Sequence, residues 1–460
     1  MTVGLEVHVE LKTLTKMFCA CKNDTDEKRP NINICPVCMG HPGTLPVINK
    51  EAVKRVLKVG VAIGGQLADV SEFDRKNYFY PDIPKGYQIS QYKYPLVSGG
   101  ELVGVKITRV HLEEDTAKSL HVEGGASLVD FNRAGVPLME LVTEPVIKSA
   151  EEAGRFAKEL QLLLQYLGVA EVNMEKGEMR VEANISVSGD NKLGTKVEVK
   201  NLNSFRSMER AIEHELKRQS ELLDGGGVVV QETRGWDEAK QATFSQRSKE
   251  DSHDYRYFPD PDLPKLKISE VPELVKSVLV GEMPTTPNEK RQRFQDSYGL
   301  KESDKEFYVG NSKFADLFEK VASKIEKANF QLLSNYVLSV LSGVGPKVLE
   351  LAPEDLAEII NMQSNGEISS RGAKDILVQM LAGETGARKI AETRNLFQKS
   401  NEADIAEIVD RVIGDNPKVV EEYRAGKIVA LQFLVGQGMK FSSCSANPEM
   451  LRSLLMERLT

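Results

Sequence analysis

Gly4–Leu11, GLEVHVEL, decides how the first half of the chain is read. In an extended strand successive side chains point to opposite faces. Glu6, His8 and Glu10 then share one face, while Leu5, Val7, Val9 and Leu11 share the other. The apolar set asks for a core. The polar set is either a solvated strand face or a seat for a cation, and the rest of the chain has to choose between them.

The chain has 460 residues, enough for two or three domains, and 41% hydrophobic with 28% charged residues is ordinary for a globular protein. A net charge of −8 excludes a generally sticky polyanion binder, so any RNA contact must be a local patch. No run approaches the roughly 18 apolar residues of a membrane span, and the first residues lack the pattern of a signal peptide. These features predict a cytoplasmic protein without a membrane partner, or an organellar one without its presequence.

Working outward, strand-like runs such as VGVKITRVHLEE (103–114), MRVEANISV (179–187) and KVEVKNLNS (196–204) are separated by turn residues. Helical spacing interrupts them at Lys50–Gly64 and Ala150–Leu167, where Phe156, Leu160, Leu163 and Leu164 fall on one side. MPTTPNEKR (283–291) reads as a linker entering a helix, with Pro287 in its first turn. Beyond it strand signals nearly vanish, and amphipathic runs at Phe314–Glu326, Gln331–Leu341, Pro353–Met362, Arg371–Leu381 and Ala403–Val412 predict helices. The fold class is α+β, a mainly antiparallel sheet domain over 1–290 followed by an all-α domain over 291–398 and a tail domain over 399–460.

Cys19, Cys21, Cys35 and Cys38 form two close pairs, CAC and CPVC, on turn-rich segments. Four thiolates so spaced suit tetrahedral zinc; unligated buried thiols or redox use are the competing readings. A full set of four leaves no open position, so such a zinc is structural. Phe73–Tyr92 mixes Arg75, Lys76 and Lys85 with Tyr78, Phe79, Tyr80, Tyr87 and Tyr92. That mixture suits phosphates and stacked bases, although an anchored aromatic loop with solvated charges has the same composition. HLEEDTAK (111–118) puts Glu113, Glu114 and Asp115 at a strand end, where like charges call for a cation or for water. Lys196, Glu198 and Lys200 alternate with Val197 and Val199, repeating the opening pattern. A sheet face lined by Glu, Lys, Asn and His from several strands is best explained as a seat for a polar ligand. Phosphate-loop, dinucleotide and nucleophile-elbow motifs are absent, and Cys444 has no neighbouring His to support a thiol nucleophile.

These stretches, with SLVDFNRAGVPLMELVTEP (127–145), QETRGWDE (231–238), HDYRYFPDPDLP (253–264) and FLVGQGMK (433–440), resemble the B subunits of aspartyl/glutamyl-tRNA amidotransferases over nearly the whole chain. The resemblance implies a first domain called the cradle. There ATP converts the side-chain carboxylate of Glu-tRNA(Gln), or of Asp-tRNA(Asn), to an acyl phosphate that ammonia attacks. It further implies Mg2+ ligands at Glu6, His8 and Glu114, with Glu198 and Glu182–Asn184 lining the same cavity and Glu10 a neighbour without an assigned role. Arg75, Lys76, Tyr80, Lys85 and Asn184 are then the candidates for holding ATP or substrate. Ammonia is expected from an amidase-like glutaminase A subunit, with a small C subunit wrapping both, while the helical and tail domains hold the tRNA. Some family members lack the four cysteines, which makes zinc here a scaffold rather than part of the shared chemistry. Two rival readings remain: a zinc scaffold that positions tRNA without chemistry of its own, and a free-standing ligase acting on a small carboxylate.

Overall fold

The computed structural model describes all residues except 123, 191, 249–254, 399–401, 443–445 and 460. Cys444, and His253 and Asp254 of the 253–264 motif, lie outside the described residues. The chain divides into two compact units, Met1–Pro287 and Asn288–Thr460.

The opening strand, Thr2–Glu10, is the centre of the first unit. Among the described residues ten strands form one sheet, in the order Ala242–Ser248, Glu232–Asp237, Val197–Leu202, Met179–Ser186, Thr2–Glu10, Pro137–Thr143, Val105–Glu114, Val97–Ser98 and Gln66–Leu67, with Glu101–Leu102 also paired to Val105–Glu114. Its pairings are antiparallel except that between Val197–Leu202 and Glu232–Asp237. The α+β, mainly antiparallel reading is therefore correct.

Alternation works as the sequence demands. Val3, Leu5, Val7 and Val9 are fully buried and belong to one core with Val53, Val56, Phe156, Leu160, Met208 and Ile212. These come from three helices, Lys50–Ala62, Ala150–Tyr166 and Phe205–Asp224, whose first turns are capped by the side chains of Asn49, Ser149 and Ser204. Asn49 also donates to the carbonyls of Thr15 and Lys16, so one residue caps a helix and holds the segment leading to the cysteines.

The Val103–Gly104 pair departs from the strand expected through 103. Glu101 pairs with Lys106 and Leu102 with Val105, so Val103 and Gly104 form a two-residue hairpin turn with φ of 44° and 84°. Such turns match the twist of the flanking strands but need positive φ at both positions, a strained state for a β-branched residue. A second irregularity lies near Asn201, at φ 62°, where the pairing between Met179–Ser186 and Val197–Leu202 shifts register.

In the second unit the first helix begins at Pro287, and Ser312–Ala322 stops short of the expected Glu326. Gln331–Leu341 is helical in two pieces, Phe330–Tyr336 and a wider π turn over Val337–Leu341. The unit holds two separate apolar clusters, one built on Phe294, Tyr308, Phe318 and Ile376, the other on Ile405, Val409, Leu434 and Leu455. Among the described residues no helix is long and apolar enough to cross a membrane.

Candidate active site

The polar side chains of the opening strand meet those of both neighbouring strands because register sets them level. His8 stands between Glu140 and Arg180, Glu140 between His8 and His111, and Glu6 beside Glu182. Directly opposed residues on one face have Cβ atoms about 4.5–5.5 Å apart, close enough for the side chains to interact. His8 Nε2 lies 3.4 Å from Glu140 Oε2, 3.6 Å from Glu113 Oε1 and 3.8 Å from Glu6 Oε1. His111 Nε2 is 3.4 Å from the same Glu140 oxygen, and Arg109 Nη2 is 3.5 Å from the other. Glu6, His8 and Glu140, and likewise His111, Glu113 and Glu140, bring their ligand atoms within 4.8 Å of one another.

So many carboxylates at one spot disturb each other. Burial, reinforced by the charge of Glu140, pushes Glu6 up to about 7. Burial alone would lower His8, but the Glu140 hydrogen bond and the charges of Glu113 and Glu140 outweigh it and lift the imidazole to about 9. Burial opposes ionisation of Glu140 as well, yet His111 and His8 hold it well below the usual carboxylate range. Nδ1 of His111 and Oδ1 of Asn184 are buried without a hydrogen-bond partner.

Glu114 is not part of this group. The strand puts Arg109, His111 and Glu113 on the polar face, and Glu114 follows Val110 and Leu112 to the other side. There its carboxylate pairs with Lys85 Nζ at 2.5 Å and accepts the Ile89 N–H at 2.9 Å. The structure thus brings together Glu6, His8, Glu113 and Glu140 where sequence reasoning expected Glu6, His8 and Glu114. Glu140 was missed altogether. Its signal was a lone carboxylate inside the apolar run PLMELV, and the signal for Glu113 was its two-residue spacing from His111.

The other expected residues separate into different surroundings. Lys76 belongs to the polar face: its Nζ lies 5.0 Å from the Tyr255 ring centroid and 5.9 Å from that of Tyr78. Burial works against its charge, but Glu113, Tyr257 and Glu140 raise it further. Glu198 accepts from Thr233 Oγ1 at 2.8 Å and stands opposite Asn184, while Lys200 Nζ is 3.0 Å from Glu182, so this strand extends the same face. Arg75 is occupied by Asp260 at 2.9 Å, Asp262 at 3.0 Å and the Tyr87 ring at 4.3 Å. Tyr80 is exposed. Glu10 shares the polar face but looks toward Asp115 and is pushed up to about 8 by burial and by that neighbour's charge.

Cys19, Cys21, Cys35 and Cys38 place their sulfurs within 4.8 Å of one another. Gly40, at φ 65°, turns the chain after CPVC, and Cys38 Sγ accepts the Cys35 N–H at 3.1 Å. A hydrogen bond from the Cys19 thiol holds Cys38 down to about 5, the behaviour of a thiolate ready for a cation. A cavity of about 190 Å3 separates these cysteines from Lys85 and Glu114.

Comparison with known proteins agrees with this arrangement. Residues 1–272 match the family model described as the GatB/GatE catalytic domain, and residues 316–459 match the one described as the GatB domain. The chain is 45% identical to the B subunit of the aspartyl/glutamyl-tRNA(Asn/Gln) amidotransferase of Moorella thermoacetica, over 99% of both chains. It is 43% identical to the protein of the same name from Thermoanaerobacter pseudethanolicus, over 100% of this chain and 98% of the relative. The Persephonella marina counterpart is 42% identical over 99% and 98%.

The different surroundings of two glutamates give opposite expectations for unfolding in metal-free buffer at pH 8. Glu114→Ala leaves the buried Lys85 unpaired and lowers stability by about 3–5 kcal/mol. Glu6→Gln raises the midpoint, because a carboxyl lifted on folding costs stability once pH exceeds its unfolded value. Urea denaturation of both variants checks the pair.

Proposed function

The chain belongs to the family of aspartyl/glutamyl-tRNA(Asn/Gln) amidotransferase B subunits, and from that premise we propose that its polar sheet face is where the misacylated side chain is phosphorylated and amidated. A carboxylate is a poor electrophile. ATP converts it to an acyl phosphate by attack of a carboxylate oxygen on the γ-phosphorus with loss of ADP; ammonia then adds to the acyl carbon and phosphate leaves. Phosphoryl transfer asks mainly for positioning and charge neutralisation. The observation that carries the reading is the convergence of Glu6, Glu113 and Glu140 on His8, four groups from three adjacent strands.

Glu6, His8, Glu113 and Glu140 fit a divalent cation, since three carboxylates in a mostly buried spot lack matching positive charge. They would hold Mg2+, which when bound neutralises phosphoryl oxygens. Lys76 stays charged beside them and supplies a fixed cation for the transferring group. Asn184, Glu198 and Lys200 extend the lining toward the substrate. Lys85 keeps its Glu114 partner, and Arg75 its two aspartates, so both act in shaping the loop that borders the site. Four sulfurs this close fit structural zinc, whose tetrahedral bonds of about 2.3 Å put thiolates about 3.8 Å apart.

The reading includes partners. The described residues hold no paired thiol or serine nucleophile on this face, which supports ammonia from a glutaminase A subunit, with a small C subunit completing a cytoplasmic heterotrimer. Residues 291–398 and 399–460 form the helical and tail domains that hold tRNA(Gln) or tRNA(Asn), charged with Glu or Asp, through shape and dispersed contacts.

His8→Ala and Glu140→Gln should each slow γ-phosphate release with Glu-tRNA(Gln) by about 10²–10³-fold; turnover equal to wild type would leave only a tRNA-positioning scaffold, and turnover without tRNA would favour the small-molecule ligase. Mg2+ binding must displace the proton on His8 and part of that on Glu6. Calorimetry at pH 7 in buffers of different ionisation enthalpy should therefore show net proton release, and affinity should rise with pH toward 9. Reduced protein should carry about one equivalent of zinc, and Cys35→Ser should lose the metal and lower the unfolding midpoint; metal analysis finding none overturns the zinc assignment.

A further inference from the structure

Beside the polar face runs a row of aromatic rings. Lys76 Nζ lies over Tyr255, Tyr255 meets Tyr257 edge-on at 6.0 Å, and Tyr257 is stacked on Tyr92 with centroids 4.5 Å apart and planes within 10°. The inner end of the row borders the carboxylates: Tyr257 is pushed up to about 12 by burial and by the charges of Glu113 and Glu140. Its outer end is in water, for Tyr92 is 60% exposed.

Tyr92 is held rigidly from behind. Its N–H donates to the buried Asp74 carboxylate at 3.0 Å. The preceding Gln91, also buried, accepts the Leu112 N–H at 3.0 Å and donates to Ser71 Oγ at 2.6 Å. An immobilised ring stacked on one face and wet on the other is an unfinished stack. Nothing in the fold of this unit requires such a ring, since its inner contacts are to another tyrosine rather than to the core.

We propose that the outer face of Tyr92 is the platform for the adenine base of ATP, the ring continuing the Tyr92–Tyr257 stack while the phosphates lie over Lys76 and the Glu6, His8, Glu113 and Glu140 group. The inference rests on the phosphoryl-transfer reading above and deepens it by assigning a base-binding residue. Three observations favour a nucleotide over an RNA strand. The stack offers a single ring face, one base wide; it is continuous, through Tyr257 and Tyr255, with the fixed cation; and the sequence has no phosphate loop or dinucleotide fingerprint to hold a nucleotide otherwise. Stacking supplies affinity through a π-face that every base has, so adenine and guanine nucleotides should bind with similar strength.

The test uses the full-length chain assembled with its partner subunits, and measures binding of a non-hydrolysable ATP analogue and of inorganic tripolyphosphate, both with Mg2+. Tyr92→Ala should weaken the ATP analogue by about 5–150-fold, Tyr92→Phe should bind like wild type, and tripolyphosphate affinity should be the same in all three. The exposed position of Tyr92 keeps both variants folded. Unchanged binding of the analogue by Tyr92→Ala overturns the platform. So does an equal loss for tripolyphosphate, which marks a general disturbance of the site, or a loss confined to the KM for aminoacyl-tRNA, which assigns the ring to the RNA end. Wild-type protein that binds neither probe would instead remove the phosphoryl-transfer reading, and this inference with it.

Discussion

Glu140 is the residue on which the first unit's polar face is built. Its carboxylate, almost wholly buried, lies between two imidazoles at the same distance from one oxygen, with a guanidinium near the other. A charge so placed persists only because opposite charges and hydrogen bonds surround it. That requirement fixes the register of three strands at once: a slip of one residue would turn Glu140, His8 or His111 into the apolar core. The chemical face and the packing face of the sheet are therefore specified by the same alternation, and neither can drift without the other.

Much of this was legible in the sequence because period two is so regular in GLEVHVEL: the apolar half of the opening strand went to the core and Glu6 with His8 went to the polar face. The cysteine pairs were equally clear, since spacing alone brings CAC and CPVC within reach. Glu114 misled because two adjacent glutamates carry the same composition signal and only the strand phase tells them apart. Glu140 escaped because a single acid in PLMELV looks like an interruption of a core strand until its cross-strand neighbours are known. Val103 read as strand because a β-branched residue seldom accepts a left-handed turn, and here the hairpin overrides that preference.

The basic and aromatic loop shows why composition cannot assign roles. Its three cations have three fates: Arg75 is spent on Asp260 and Asp262, Lys85 on Glu114, and Lys76 alone faces the carboxylate and imidazole group. The first two hold the Phe73–Tyr92 segment against the sheet, which is what allows Lys76 and the tyrosines to keep a fixed geometry. Long-range pairing, invisible in a linear reading, separates a scaffold cation from a reactive one.

The central position of the opening strand also sets a timetable for the nascent chain. Glu6 pairs with Val142 on one side and with Glu182 on the other. At about 5–20 residues per second of synthesis, the last of these partners is made roughly 10–35 s after the first strand. Until then a strand with four core-facing aliphatics has neither edge covered, so the earliest segment made is among the last to be secured, and the first unit closes only as a whole.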